Sequence, residues 1–221
     1  VIVVIGILAA ISVVAYNGIR DGAALASVRA DTTNIEKQLE LFRVSKEVYP
    51  TAINDCPTPN SVALCLSSGS NTVRYGKLDG TTPSRGATGP AYELTVLNDR
   101  AFLYSSTAEI TGSSEFVKYM DLAPIIDKYG LVNYKLSFDI KSADVSGQNT
   151  MRVYSLNGSD ARYYFDPMFI PVSTSFTHYE LTFKPVLISS TVTASWLAFY
   201  GIAYGSGNIP TIRNLKLELA K

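Results

Sequence analysis

Two cysteines and one histidine carry the most reactive side chains of this 221-residue sequence. Cys56 and Cys65 stand nine positions apart around Pro57-Thr58-Pro59-Asn60, which reads as a loop. Two thiols closing a short loop fit a disulfide formed in an oxidising compartment; two free thiols are the alternative. Zinc would want four ligands, and the distant His178 leaves the nitrogen and sulfur set short, so no metal or other cofactor is expected. His178 lies between Thr177 and Tyr179 on the outer side of an alternating stretch, where a lone surface histidine is the plain reading. No serine or cysteine can be matched to it, no Gly-x-Ser-x-Gly occurs, and no glycine-rich phosphate loop occurs. Aspartates and glutamates are scattered, with nothing to pair two of them for glycoside hydrolysis. The chain is therefore expected not to be an enzyme.

Aromatic faces offer a different chemistry, the stacking of sugar rings. Trp196, the one tryptophan, sits in Ser195-Trp196-Leu197-Ala198-Phe199-Tyr200. If Leu197 and Phe199 face a core, Trp196 and Tyr200 face outward together; in the reversed register Trp196 is core. Tyr154 is a further candidate for a glycan-facing surface, and Tyr163, Tyr164 and Phe165 could join it. Asn157-Gly158-Ser159 matches a glycosylation acceptor pattern, but no site is assigned to it.

The elements that must hold these groups are mostly strands. Hydrophobic residues make up 47% of the chain and charged residues 17%, with 14 Tyr and 9 Phe. Lys plus Arg equals Asp plus Glu at 19 each, so no basic excess is available to neutralise a nucleic-acid backbone. Tyr134, Leu136, Phe138 and Ile140 alternate with Lys135, Ser137, Asp139 and Lys141; Tyr179, Leu181 and Phe183 alternate with polar partners; so do Leu215, Leu217 and Leu219. Each reads as a half-buried strand. Further strands are expected near Met151–Leu156, Arg162–Asp166 and Thr193–Tyr200, which together suit a β-sandwich over 113–221. Before it, Tyr92–Leu97 and Ala101–Ser105 flank Asn98-Asp99-Arg100 as a hairpin.

The amino-terminal segment is of another kind. Val1 to Tyr16 carries no charge, and at 1.5 Å per residue it would span roughly 24 Å, short of the roughly 30 Å of a bilayer core. It flows into an amphipathic stretch in which Leu25, Val28, Thr32, Ile35, Leu39 and Phe42 form one stripe. Pro50 disfavours helix at Tyr49, so one unbroken helix is expected over 1–48, with at most a gentle bend near Ser12 to Gly18. Its first part is apolar all round and needs neighbours. Its second part needs a small domain, expected over 49–112.

Gly6-Ile7-Leu8-Ala9-Ala10-Ile11, with Ala15-Tyr16 following and Val48-Tyr49-Pro50-Thr51 at the close, resembles the amino-terminal helix of type IV pilins and secretion pseudopilins. The resemblance covers about residues 1–51. It implies a helix held first in the cytoplasmic membrane and then packed with copies of itself in a filament core, here Val1, Ile2, Val3, Val4, Ile5, Gly6, Ile7, Leu8, Ala9, Ala10 and Ile11. The family begins with a methylated residue and a nearby glutamate; neither is present, and the sequence starts inside the motif. Many members carry a proline where Val14 stands.

Tyr134–Ile140, Phe176–Phe183 and Ile212–Glu218 look like carbohydrate-binding or galactose-binding-like jelly rolls. The expected fold class is thus α+β: a long helix, a small antiparallel pilin-like head sheet, and an all-β jelly-roll sandwich. The resemblances imply a structural subunit of an extracellular type IV pilus-like filament on a bacterial surface, displaying a sandwich for adhesion. The alternatives are a low-copy glycan-binding tip adhesin and a pseudopilin. The implied partners are copies of itself in a helical homopolymer, the pilus assembly machinery, the membrane before assembly, and glycans or a host surface; nucleic acid is not indicated.

Overall fold

The computed structural model describes residues 2–54, 64–65, 71–78, 87–155 and 161–220, with backbone alone at 2–14, 54, 65 and 87–88. Cys65 pairs along a short ladder with Asn54, but Cys56, and with it the Cys56–Cys65 bond, lies outside the described residues. So do Val1 and Asn157-Gly158-Ser159, and the side chains of the remaining filament-core residues, Ile2 to Ile11.

One helix, α1, runs from Ile2 to Lys46, 45 residues and about 68 Å long. It is continuous past Val14, which neither removes a backbone donor nor clashes with the preceding turn as proline would. Arg43 and Lys46 in the last turn suit the negative end of the helix dipole. Glu47 then enters the left-handed region at φ 61° and ends it. Among the described residues no helix is long and apolar enough to cross a membrane.

The strands are β1 (Ile53–Asn54), β2 (Leu64–Cys65), β3 (Thr72–Leu78), β4 (Ala87–Thr88), β5 (Ala91–Leu97), β6 (Phe102–Ser106), β7 (Glu109–Thr111), β8 (Phe116–Asp121), β9 (Tyr134–Ser142), β10 (Thr150–Ser155), β11 (Tyr163–Tyr164), β12 (Met168–Pro171), β13 (Thr177–Phe183), β14 (Val186–Leu187), β15 (Trp196–Tyr200) and β16 (Pro210–Leu219). A second helix, α2 (Ala123–Tyr129), follows β8. The sequence reading did not foresee α2, although Pro124 near its start and Gly130 after its end, at φ 87°, are ordinary boundary signals.

The larger sheet has the order β13-β9-β16-β6-β5-β3, and β7 with β4 also joins it along β16. The smaller has the order β12-β10-β15-β8. From β8 onward the chain alternates between them: β8 small, β9 large, β10 and β12 small, β13 large, β15 small, β16 large. That winding is a jelly-roll sandwich. Strand β16 is the joint of the molecule. Leu215–Glu218 pair with Ser106–Leu103 of β6 on one side, and Lys216–Leu219 pair with Ser137–Tyr134 of β9 on the other. The hairpin next to the helix and the front of the sandwich are therefore one sheet, continuous across residue 112.

Two cores lie on opposite faces of that sheet. On one, Leu25, Val28, Ile35 and Leu39 of α1 pack on Tyr92, Leu94, Val96 and Leu103. Thr32, in the same stripe, is buried with its hydroxyl donating to the Val28 carbonyl at 2.7 Å. Tyr49 pins the helix end: its ring meets Tyr92 edge-on at 5.0 Å, and its hydroxyl donates to Glu40. Burial and that carboxylate raise its pKa to about 12. On the other face, Leu136, Phe138, Ile140, Leu215 and Leu217 pack against Met151, Val153, Leu197 and Phe199 of the smaller sheet. Ion pairs tie the helix to the joint, Arg29 to Glu218 at 2.7 Å and Lys216 to Glu36 at 3.0 Å.

Candidate functional site

The outward face of the smaller sheet gathers the aromatic candidates. On β15, Leu197 and Phe199 are buried in the core, so Trp196, Ala198 and Tyr200 point the other way. The ladder places Ala198 opposite Tyr154, and Tyr200 opposite Arg152 on one side and Phe116 on the other. Lys118 stands opposite Ala198, and Phe169 of β12 opposite Arg152. An irregularity in β8, where Tyr119 and Met120 both turn inward, keeps Lys118 and Asp121 on the outer side. The structure thus brings Trp196, Tyr200 and Tyr154 onto one face. It does not bring Phe165, which is buried and stacked on Phe183 at 4.3 Å. Nor does it bring Tyr163 and Tyr164, which form a separate ladder with β14.

Two cations lie on these rings. The Arg152 guanidinium is 4.1 Å from the Tyr154 ring centre and 5.2 Å from that of Tyr200. Lys118 Nζ lies 3.8 Å over Trp196. Such contacts favour the cation by about 0.5–2 kcal/mol each. Phe169 is 61% exposed and Tyr204 75%, while Tyr154, at 8%, lies beneath Arg152. Tyr204 belongs to a turn, 201–208, that approaches Tyr200 to 5.2 Å. Partial desolvation raises the Tyr200 phenol above its ordinary pKa, Tyr204 adds to this, and Arg152 opposes it.

The turn is built from backbone strain and buried polar bonds. Ile202, Gly205 and Gly207 all have positive φ, at 70°, 77° and 75°. Glu115, at the foot of β8, accepts from the Gly205 and Gly207 N–H groups at 2.9 and 3.2 Å. Its own backbone N–H and these glycine donors hold its carboxyl below the usual carboxylate value against the opposing effect of burial. Asn208 is fully buried; its amide donates to the carbonyls of Thr150 and Gly201, and its oxygen accepts from Ser142. Gly201 is required by close approach, since a Cβ there would lie 2.2 Å from the Asn208 carbonyl oxygen.

Sequence reasoning missed Arg152, Lys118, Phe116, Phe169 and Tyr204. Their spacing carries no motif; strand register puts the first four on the face of Trp196 and Tyr200, and the 201–208 turn brings Tyr204 to it.

Other polar groups lie elsewhere. His178, 58% exposed, faces outward on the larger sheet with Nδ1 2.8 Å from Asp139, which also accepts from Asn214 at 2.7 Å. Burial would raise the Asp139 pKa, but His178 and then Asn214 outweigh it and lower it. Among the described residues no group of three or more metal-ligating side chains occurs. A cleft of about 720 Å³ opens where α1 leaves the body, lined by Asp21, Leu25, Arg100, Lys128, Tyr129 and Leu219. Its Arg100 and Asp21 pair with each other at 2.6 Å.

No protein-family model matches the chain, and no curated protein matches it. Solved structures align with part of it. One is described as "CBM4 structure and function", at 9% identity and TM-score 0.33 over 66% of this chain and 86% of that one. Another is a family 11 carbohydrate-binding module from Clostridium thermocellum with a beta-1,3-1,4-mixed-linked tetrasaccharide, at 16% and 0.27 over 68% and 84%. A third is a xylan-binding domain from Paenibacillus barcinonensis, at 12% and 0.29 over 70% and 99%. Likenesses at this level decide neither family nor ligand, and the functional reading rests on the chain's own residues.

Proposed function

We propose that this chain is the structural subunit of an extracellular, type IV pilus-like filament, polymerising through the first part of α1 and displaying the sandwich outward. The observation that carries the reading is the reach of α1 past the part that packs on the sheet. Leu25 is the first stripe residue buried by the body, and α1 continues amino-terminally to Ile2, about 34 Å further. Residues 15–20 of that stretch are exposed, Tyr16 and Ile19 prominently. The sequence before them is uncharged from Val1 to Gly18. Water around a sequence this apolar would cost on the order of 1.5–3 kcal/mol for each large side chain. A bilayer before assembly, delivery by assembly machinery, and copies of the same helix afterwards would each cover it. The filament core in this reading is residues 1–11.

Two forms of the protein test it. Lacking residues 1–20, the protein should be a soluble monomer that keeps both cores, because the stripe from Leu25 to Leu39 still has the sheet to pack on. The full chain, freed of detergent, should form filaments visible by electron microscopy. A full chain that stays monodisperse in water would sink the proposal.

A second reading concerns what the filament displays. The face formed by Trp196, Tyr200, Tyr154, Phe169 and Tyr204 supports glycan binding, whether along the filament or in a low-copy tip adhesin, because flat rings on a solvent-facing sheet stack against sugar rings. In this reading the chain binds rather than catalyses: the one histidine lies on the other sheet with no nucleophile in its hydrogen-bonded group. Loss of glycan retention in Trp196→Ala, with unchanged folding, is the expected result; equal retention by the variant would remove the face from consideration. A pseudopilin role shares the helix argument and is separated from it by whether filaments emerge from the cell.

A further inference from the structure

Resting on the glycan-binding reading of the smaller sheet, we infer that this face selects polysaccharides bearing carboxylates, uronic-acid sugars, over neutral ones. The argument starts from the charge on the face. Arg152 and Lys118 both point out of it, and among the described residues neither has an ion-pair partner; each rests on aromatic rings instead. Arg152 Nε is buried and has no hydrogen-bond acceptor among the described residues. A buried donor without an acceptor is an unfavourable state that a ligand oxygen could relieve.

The nearby carboxylates do not supply that acceptor. Glu115 is engaged by the Gly205 and Gly207 N–H groups. Asp121, opposite Trp196, accepts from the N–H groups of Ser195 and Ala123 at 2.8 and 3.0 Å. Both anions face backbone donors and leave the two cations uncompensated.

The geometry suits a chain of acidic sugars. A planar guanidinium matches a carboxylate with two parallel N–H···O bonds, a match Lys lacks. Lys118 is exposed and flexible. It can leave the indole when a sugar ring takes its place and remain within reach of the carboxylate on that sugar. A neutral glycan would have to displace the same ammonium with nothing to receive it. Trp196 and Lys118 at one side and Tyr200 with Arg152 further along β15 repeat the unit of ring plus cation.

The test is calorimetric titration of the full chain with oligogalacturonate, with its fully methyl-esterified form, and with neutral xylo- and cello-oligosaccharides. Esterification keeps the sugar and removes the charge. The acidic oligomer should bind at least tenfold more tightly than the ester. That preference should fall on the order of tenfold between about 0.05 and 0.5 M salt. Arg152→Gln and Lys118→Gln should each reduce it several-fold, Arg152→Gln more, whereas Lys135→Ala on the other sheet should not. Equal affinity for acid and ester overturns the inference and leaves glycan binding standing. So does tighter binding of a sulfated glycan than of the uronate, or equal loss in Lys135→Ala. No binding to any oligosaccharide defeats the glycan reading itself.

Discussion

The two outward sheet faces of the sandwich differ in whether their cations have carboxylates within reach. On the larger sheet, Lys135 meets Glu180 at 2.7 Å, His178 meets Asp139 at 2.8 Å, and Lys216 and Glu218 meet Glu36 and Arg29 of the helix. Arg213 and Lys141 on that sheet lie over the Phe176 ring, at 3.7 and 4.5 Å, but each also has a carboxylate of Glu109 or Asp139 within 4.0 Å. On the smaller sheet, Arg152 and Lys118 meet rings without such a carboxylate among the described residues. Ion pairs exposed to water contribute little to stability, and a face covered with them has its charge satisfied at home. A face whose cations are held on aromatic rings keeps them available to something else. The contrast locates the candidate site more sharply than the count of aromatics does, since both cores also hold aromatic rings.

The hardest way to break the comparison is to remove what both faces share. Phe138 is fully buried between the sheets and meets Phe199 edge-on at 5.0 Å. Phe138→Ala should cost about 3–5 kcal/mol. Because β16 belongs to both the helix-packed hairpin and the sandwich front, unfolding followed by helix and by aromatic signals should give one coincident transition. Two separated transitions would show that the joint does not couple the cores.

A change confined to the aromatic side comes next. In Gly201→Ala the new Cβ would meet the Asn208 carbonyl, so the turn must shift, at about 1–3 kcal/mol. Tyr204 should move with it, altering tyrosine fluorescence while the His178 side is unaffected. An unchanged midpoint and spectrum would mean that the turn yields freely.

On the larger sheet, Glu218→Gln removes a two-bond pair with Arg29, at 2.8 and 2.7 Å. Arg29 is partly exposed, so the loss should be about 1 kcal/mol by denaturant titration. A loss several times larger would mean that this pair, and not the apolar stripe, holds the helix.

Acid sharpens the contrast. Glu115 has its carboxyl held below the ordinary 4.5. A lowered folded pKa means stability that is complete above the unfolded value and is lost as pH falls through the folded one. The turn should therefore loosen below about pH 4.5, seen as a Tyr204-dependent fluorescence change that Glu115→Gln abolishes. The smallest effect belongs to the exposed Lys135–Glu180 pair, whose double substitution should leave the thermal midpoint unchanged.

Much of the architecture was legible from periodicity. The stripe from Leu25 to Leu39, the stop before Pro50, the hairpin around Asn98, and the alternations in β9, β13 and β16 follow from local rules of side-chain direction. The Leu197/Phe199 alternation put Trp196 and Tyr200 on one face but left open whether that face was outward or core. Seven-residue α2 was missed because the segment is too short to show a helical period. The change in composition after Gly112 was legible, but it carries no information on pairing, so the sheet running across it was not.

The sequence by itself determined which residues of an element share a face, and that the first part of the helix is uncharged and apolar all round. Local backbone geometry sets the first and residue type the second. Only the tertiary structure decided that β16 would bridge hairpin and sandwich, and that Arg152 and Lys118 would lie over Tyr154, Tyr200 and Trp196. Apart from Arg152 and Tyr154, which share a face at a spacing of two, those juxtapositions join residues from 48 to 115 positions apart along the chain. They depend on register between strands, which is set by the packing of whole faces and by the irregularity in β8, and no local pattern in the chain encodes it.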